Sequence, residues 1–278
     1  MSSAAASSHN IDTTAAPQDV EVTRDGGIAI LTMARPEKRN ALSEGMLGAL
    51  QAALDAAAKD AGVRAVVIAA KGPVFCSGHD LKELTARRAD ADKGRAYIDG
   101  LMRSCARMMR SIVTHPKPVI AAVQGIASAA GCQLVASCDL AVAADTAQFC
   151  TPGVNIGLFC STPMVALSRN VPRKRAMEML LLGEMLPAQE AADYGLVNKA
   201  VPADRVMAEA MAYAQRIASK PPVTMAIGKE AFYRQIEMNL VEAYDYAAGV
   251  MVENMLHAES KEGIGAFIEK RPADWSKA

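Results

Sequence analysis

Aromatic side chains are scarce in this 278-residue chain: Phe, Tyr and Trp make up only 4% of it, with a single Trp. Half of the chain is nonetheless hydrophobic (51%), so its core must be built mainly from Ala, Val, Leu, Ile and Met. Charge of one sign is also missing. Thirty basic residues balance thirty acidic ones, which leaves no basic footprint in the composition, and nucleic acid is not an expected partner. The six cysteines (Cys76, Cys105, Cys132, Cys138, Cys150 and Cys160) contain no CxxC pair, and the four histidines are scattered. No metal site is expected, and the thiols read as reduced ones of an intracellular protein. No apolar run approaches the roughly 20 residues of a bilayer span, so no membrane association is expected. Residues 1–17 are small and polar. They lack the apolar run of a secretory leader and the arginines of a transit peptide, so they read as a disordered tail, and a cytoplasmic location is the expectation.

What is present alternates. The stretch VEVTRDGGIAILTM (20–33) reads as a hairpin about Asp25-Gly26-Gly27, since paired glycines accept the positive φ of a tight turn. Ser43 caps a helix whose Met46, Leu47, Leu50, Ala53 and Leu54 recur at helical spacing. AVVIAA (65–70), PVIAAVQG (118–125) and LAVAAD (140–145) are apolar runs suited to strands buried on both faces. A long loop follows the first of them, then a helix over about 93–114; ASAAGCQLVASCD reads as a helix following the second. Strands alternating with helices predict an α/β fold with right-handed crossovers. Beyond about 162 helices dominate. The stretch 238–257 is apolar on more than one stripe, which predicts either folding back on the core or docking onto another subunit.

Two loops carry candidate chemistry. Cys76-Ser77-Gly78-His79-Asp80-Leu81 and Gly125 to Cys132 each end a strand in small residues and open a helix. Free N–H groups and the positive dipole end at such a turn favour a developing negative charge, and two turns side by side would form an oxyanion site. The plainer alternative is that small residues permit tight helix–strand packing.

The segment HPKPVIAAVQGIASAAGCQLVASCDLAVAADTAQF (115–149) resembles the central signature of the crotonase superfamily, the enoyl-CoA hydratase/isomerase proteins. ARPEKRNALS, VFCSGHDLKEL, PRKRAMEMLLLGEMLPAQEAADYGLVNKAVP and KEGIGAFIEKR match further family segments in the same order, over residues 18–275. The resemblance implies a spiral of ββα units over 18–215. It further implies a C-terminal helical region at 216–278 that assembles a homotrimer, or a hexamer made of two trimers. It implies an acyl-CoA enzyme, a lyase of fatty-acid metabolism, with no cofactor beyond the coenzyme A of its substrate. The oxyanion donors would be the backbone N–H groups of His79 and Ala130. Coenzyme A would contact Lys38, Arg39, Ala41, Ser77, His79, Asp80, Leu81, Phe267 and Lys270, with basic side chains toward its phosphates.

The chain departs from that pattern where the chemistry lies. Hydratases of the family hold and activate a water at the β-carbon with two glutamates; those positions here are Gln133 and Gly153. Losing a general acid or base costs about 10²–10⁴-fold each, so efficient hydration by that route is not expected, although restoring both glutamates should raise it in an intact pocket. Isomerases and a dehalogenase of the superfamily place a carboxylate near Phe159–Thr162, yet no acid occurs between Asp145 and Glu178. A decarboxylase of the family shares the Gly78-His79-Asp80 turn and has a tyrosine near the place of Cys160. Cys160 is a nucleophile for thioester hydrolysis if a neighbour lowers its pKa, and otherwise an inert buried thiol. The His79 ring is a candidate base. An acyl-CoA enzyme of non-hydratase type and a non-catalytic acyl-CoA-binding protein both remain open.

Overall fold

The computed structural model describes residues 18–275. The tail expected to be disordered, 1–17, lies outside the described residues. Ten strands follow: β1 (Val20–Asp25), β2 (Ile28–Met33), β3 (Ala65–Ala70), β4 (Val74–Cys76), β5 (Val119–Val123), β6 (Ile126–Ser128), β7 (Leu140–Ala144), β8 (Gln148–Cys150), β9 (Leu186–Pro187) and β10 (Lys199–Val201). The helices of the core are α1 (Glu44–Lys59), α2 (Leu81–Ala86), α3 (Arg95–Val113), α4 (Ala130–Ser137), α5 (Pro163–Asn170), α6 (Arg173–Leu182), α7 (Ala188–Asp193) and α8 (Val206–Ala218). The last three are α9 (Pro222–Gln235), α10 (Leu240–Leu256) and α11 (Ala258–Ile268).

The strands form two sheets, a six-stranded one ordered β1-β2-β3-β5-β7-β10 and a four-stranded one ordered β4-β6-β8-β9. Each apolar run supplies a strand to the large sheet, and the short strand after it joins the small one. A helix then returns the chain, giving β3-β4-α2, β5-β6-α4 and β7-β8-α5. That is the spiral of ββα units the resemblance implies. The pairings β2–β3, β3–β5, β5–β7 and β7–β10 are all parallel, so β3 and β5 are covered on both faces and stay wholly apolar. Phe75 and Phe149 are the largest fully buried side chains, one in β4 and one in β8.

Two sequence expectations need correction. The loop after β3 contains β4 and the start of α2. The helix read through ASAAGCQLVASCD begins only at Ala130, because residues 126–128 pair as β6 and Ala129 sits at φ 51°. Both errors have one cause. A three-residue strand carries too short an apolar run for periodicity to register.

Helix α9 is fastened to the core by charge. Lys229 Nζ lies 2.7 Å from Asp139 Oδ2, and the Tyr233 hydroxyl donates to Asp139 Oδ1 at 3.0 Å. Helix α10 packs on α9 but has no buried residue. Of the two fates predicted for its apolar surface, folding back on the core does not occur within one chain. Leu240 (73%) and Leu256 (77%) are among its exposed apolar residues. Among the described residues no helix is long and apolar enough to cross a membrane.

His115 is buried at the end of α3. Its Nε2 lies 3.1 Å from the Leu54 carbonyl oxygen, and its Nδ1 lies 2.9 Å from the Lys117 carbonyl oxygen and 3.1 Å from the Lys117 nitrogen. Burial lowers the pKa of both His115 and His79 below the ordinary 6.5. The unfolded chain therefore binds protons that the folded chain refuses, and stability is lost as pH falls from about 6.5 through the folded values. Urea midpoints between about pH 7.5 and about pH 5 should decline across that window. Midpoints that stay level there would contradict this reading.

Candidate active site

The two candidate turns meet because the strands that deliver them are neighbours. β4 and β6 pair in parallel, with Val74 opposite Ile126 and Cys76 opposite Ala127, so both turns leave the same end of the small sheet. Their contact leaves no room for side chains. A Cβ on Gly131 would lie 2.2 Å from the Cys76 carbonyl oxygen. A Cβ on Gly78, itself at φ +89°, would lie 3.0 Å from Ala129 Cβ and 3.3 Å from the Ala130 nitrogen. Glycine is required at each for the backbones to approach.

The strained residue is Ala129, at φ 51° and ψ −115°. Non-glycine residues held in such regions mark places where structure is imposed by neighbours. Here the Ala129 N–H donates to the Cys150 carbonyl at 2.9 Å, and its own carbonyl accepts from the Gln133 N–H at 3.0 Å. Ala130 is the first residue of α4, where an N–H has no acceptor within the helix. Among the described residues, neither the Ala130 nor the His79 N–H donates to a backbone carbonyl. Both amides are thus unpaired, the Ala130 one at the positive end of α4.

A third strip of backbone completes this wall. Arg39 and Asn40 both adopt left-handed φ (53° and 49°), which folds residues 38–42 against the first turn. The Ser77 N–H donates to the Arg39 carbonyl at 3.1 Å, and the Leu42 N–H to the Gly78 carbonyl at 2.7 Å. Lys38, Arg39, Ala41, Ser77 and His79 are thereby brought together. The residue that holds them was missed in the sequence. Asn40 is completely buried; its Nδ2 donates to the carbonyls of Lys71 and Val74 at 2.9 and 2.8 Å, and its Oδ1 accepts from the Arg35 N–H at 3.0 Å. An Asn enclosed by basic loop residues was the available signal, since Asn tolerates left-handed φ and bonds to backbone. Asn40→Ala leaves three backbone groups unpaired and should cost about 2–4 kcal/mol. A urea titration checks this, and a loss below about 1 kcal/mol would contradict it.

The remaining sequence-chosen residues divide. The Asp80 carboxylate caps α2, accepting from the N–H groups of Lys82 and Glu83, and Leu81 is half-exposed beside it. Phe267 and Lys270 stand apart. Phe267 lies on α11, which packs on α9 and α10, and is 84% exposed; Lys270 follows the end of that helix, and no hydrogen bond among the described residues joins either to the two turns.

The two glutamate positions have different fates. Gln133 lies one turn after Ala130 on the same face of α4 and is 5% exposed; its Oε1 is sealed from solvent without a hydrogen-bond partner. At Gly153, a Cβ would lie 2.8 Å from the Leu158 carbonyl oxygen and 3.0 Å from Cys160 Sγ. The expectation that both glutamates could be restored therefore fails on geometry, because the 158–160 segment fills the space a side chain at 153 needs. Burial raises the pKa of the Cys160 thiol, against a weaker opposing hydrogen bond from Gly153, and Cys132 and Cys150 are raised for the same reason. All three stay protonated thiols near neutral pH. The His79 ring is neutral and its Nε2 has no partner.

A ββα spiral carrying two paired amide turns defines the class of this protein: an α/β fold of the crotonase type. The chain belongs to the enoyl-CoA hydratase/isomerase family, whose model matches residues 23–278. It is 47% identical over 260 residues to enoyl-CoA hydratase domain-containing protein 3, mitochondrial, of Mus musculus, covering 94% of this chain and 85% of that one. The protein of the same name from Homo sapiens is 47% identical, covering 94% and 84%. A crystal structure of an enoyl-CoA hydratase from Mycobacterium smegmatis superposes with a TM-score of 0.88 at 48% identity, covering 94% of this chain and 100% of that one. The vertebrate relatives are named as mitochondrial proteins, which overturns the cytoplasmic location expected from the sequence.

Proposed function

We propose that this protein binds an acyl-coenzyme A thioester with its carbonyl oxygen between the N–H groups of His79 and Ala130, and does not hydrate enoyl substrates by the two-carboxylate route. The observation that carries the reading is the contact of the two turns, with Gly78 and Gly131 each fitted against the opposite backbone. Two fixed donors stabilise the charge that an enolate or tetrahedral oxyanion places on oxygen, and each is worth about 10²–10³-fold in rate. The α4 dipole adds to both. Lys38 and Arg39, on the strip beside the first turn, supply cations for the phosphates of coenzyme A.

Acid–base chemistry is what the site lacks. Gln133 does not take up a proton near neutral pH, and Gly153 has no side chain. A thiol whose pKa is raised by burial is a poor nucleophile, so acyl transfer to Cys160 is disfavoured. Apolar residues exposed along α10 support self-assembly through the C-terminal helices, as a trimer or a pair of trimers, and in that assembly Phe267 and Lys270 would serve a neighbouring copy's ligand.

Calorimetric titration with butanoyl-CoA and with its thioether analogue S-butyl-CoA, which lacks the carbonyl oxygen, tests the reading. The thioester should bind at least about tenfold more tightly, as expected for two donors without a counterpart. Equal affinity would remove the oxyanion site from the account.

A further inference from the structure

A second cleft lies at the entry ends of β3 and β5, where Arg64 and Pro118 lead into the strands, and the end of α8 and the first turns of α9 close it. It shares no residue with the two amide turns. Its volume is about 360 Å³, within the roughly 300–1,000 Å³ that small-molecule sites occupy. Val63, Pro118, Ile217, Ala226 and Ile227 give it an aliphatic wall, and none of the described residues that line it is aromatic. A nucleobase would find nothing to stack on there.

Charge decides what else the occupant carries. Four charged side chains border the cleft: Arg64, Lys117, Lys220 and Glu230. Two of them are committed. Lys117 Nζ donates to the carbonyls of Ala57 and Asp60 at 3.0 and 3.2 Å, closing the end of α1. Glu230 lies 3.5 Å from Arg234 on its own helix. The neighbouring acids are taken as well: the Asp60 carboxylate pairs with Arg24 at 2.8 Å, and Glu259 accepts from the first N–H groups of α9, those of Val223 and Thr224. Arg64 and Lys220 are left. Among the described residues neither side chain makes a hydrogen bond or an ion pair. Arg64 is half-buried, with its stem against the backbone turn, since a Cβ on Gly27 would lie 3.0 Å from Arg64 Cγ. A guanidinium held partly out of water with no acceptor suits a carboxylate, which it meets with two parallel hydrogen bonds. Lys220, exposed at the rim, adds a point charge of the same sign. Inorganic phosphate would satisfy the charges and leave the aliphatic wall bare.

We infer that this cleft is a binding site for an aliphatic monocarboxylate, with its carboxylate on Arg64 and its chain along Val63, Pro118 and Ile227. The inference goes beyond the acyl-CoA reading and does not rest on it.

The test is calorimetric titration of the full chain with sodium octanoate, alone and in saturating butanoyl-CoA. Octanoate should bind with a Kd below about 1 mM, and the thioester should not change that value. Octan-1-ol keeps the chain and lacks the carboxylate, so it should bind at least about tenfold more weakly. Arg64→Gln, which keeps the stem over Gly27, should weaken octanoate at least about tenfold and leave the affinity for butanoyl-CoA unaltered. Ala226→Phe, which sets a ring in the cleft, should remove octanoate binding with the same exception, and calorimetric Tm values show that both variants are folded. Octanoate that binds both variants as it binds the parent overturns the inference. So does its displacement by butanoyl-CoA, which would put the acid in the thioester site. Absence of octanoate binding to the parent, the result expected if a second copy of the chain covers the cleft, overturns it too. Failure of butanoyl-CoA to bind sinks the acyl-CoA reading alone.

Discussion

Gly131→Ala is expected to separate the two turns and destabilise the whole chain. The added methyl carbon would stand 2.2 Å from the Cys76 carbonyl oxygen, with Cys76 C and Cβ both at 2.8 Å. None of these is the free end of a flexible side chain. Relief requires β4 and β6 to part, or α4 to tilt away from the sheet. The cost should reach or pass the top of the roughly 1–3 kcal/mol usual for overpacking, which is a fall in Tm of about 6–12 °C for a chain of this size. Differential scanning calorimetry reads it directly. The same variant should lose the thioester-over-thioether preference, because the Ala130 amide moves with its helix. A Tm within about 2 °C of the parent would mean that the turns are not in the contact described.

The second large effect concerns hydration. Crotonyl-CoA should be hydrated at least about 10⁴-fold below an ordinary enzyme turnover of about 10 s⁻¹, since both acid–base groups are gone. Gln133→Glu combined with Gly153→Glu should not recover it. At 133 the change is nearly isosteric. At 153 the new Cβ meets the Leu158 carbonyl oxygen at 2.8 Å and Cys160 Sγ at 3.0 Å, so the second carboxylate has no place to stand. The loss of enoyl absorbance measures both proteins. Full turnover by the unaltered protein would mean that another group performs the proton transfers, and recovery in the double variant would mean that a carboxylate at 153 does find room.

The long apolar runs were legible from the start. AVVIAA, PVIAAVQG and LAVAAD became β3, β5 and β7, because a strand covered on both faces needs no alternation to be seen. Ser43 capped α1 as its position announced, accepting from the Met46 N–H. The short strands β4, β6 and β8 were not legible, although they carry the site. Their three residues show no period, and only their pairing brings Cys76 beside Ala127. The two small-residue turns were visible in the sequence and the resemblance named His79 and Ala130 as candidate donors, yet the fit of Gly131 against Cys76 needs coordinates. Asn40 escaped because its bonds run to Lys71 and Val74, residues distant in sequence. The crowding of Gly153 escaped for a related reason: the segment that fills its space lies on the far side of the left-handed turn at Gly157.

The central claim is that two backbone amides polarise a thioester carbonyl. A conjugated dienoyl-CoA reports this most directly, because its absorption moves to longer wavelength as charge is drawn onto the carbonyl oxygen. Titrated into the protein, it should show a red-shifted band that saturates with binding, and in Gly131→Ala that shift should vanish. Saturable binding with an unshifted spectrum in the parent protein would contradict the account.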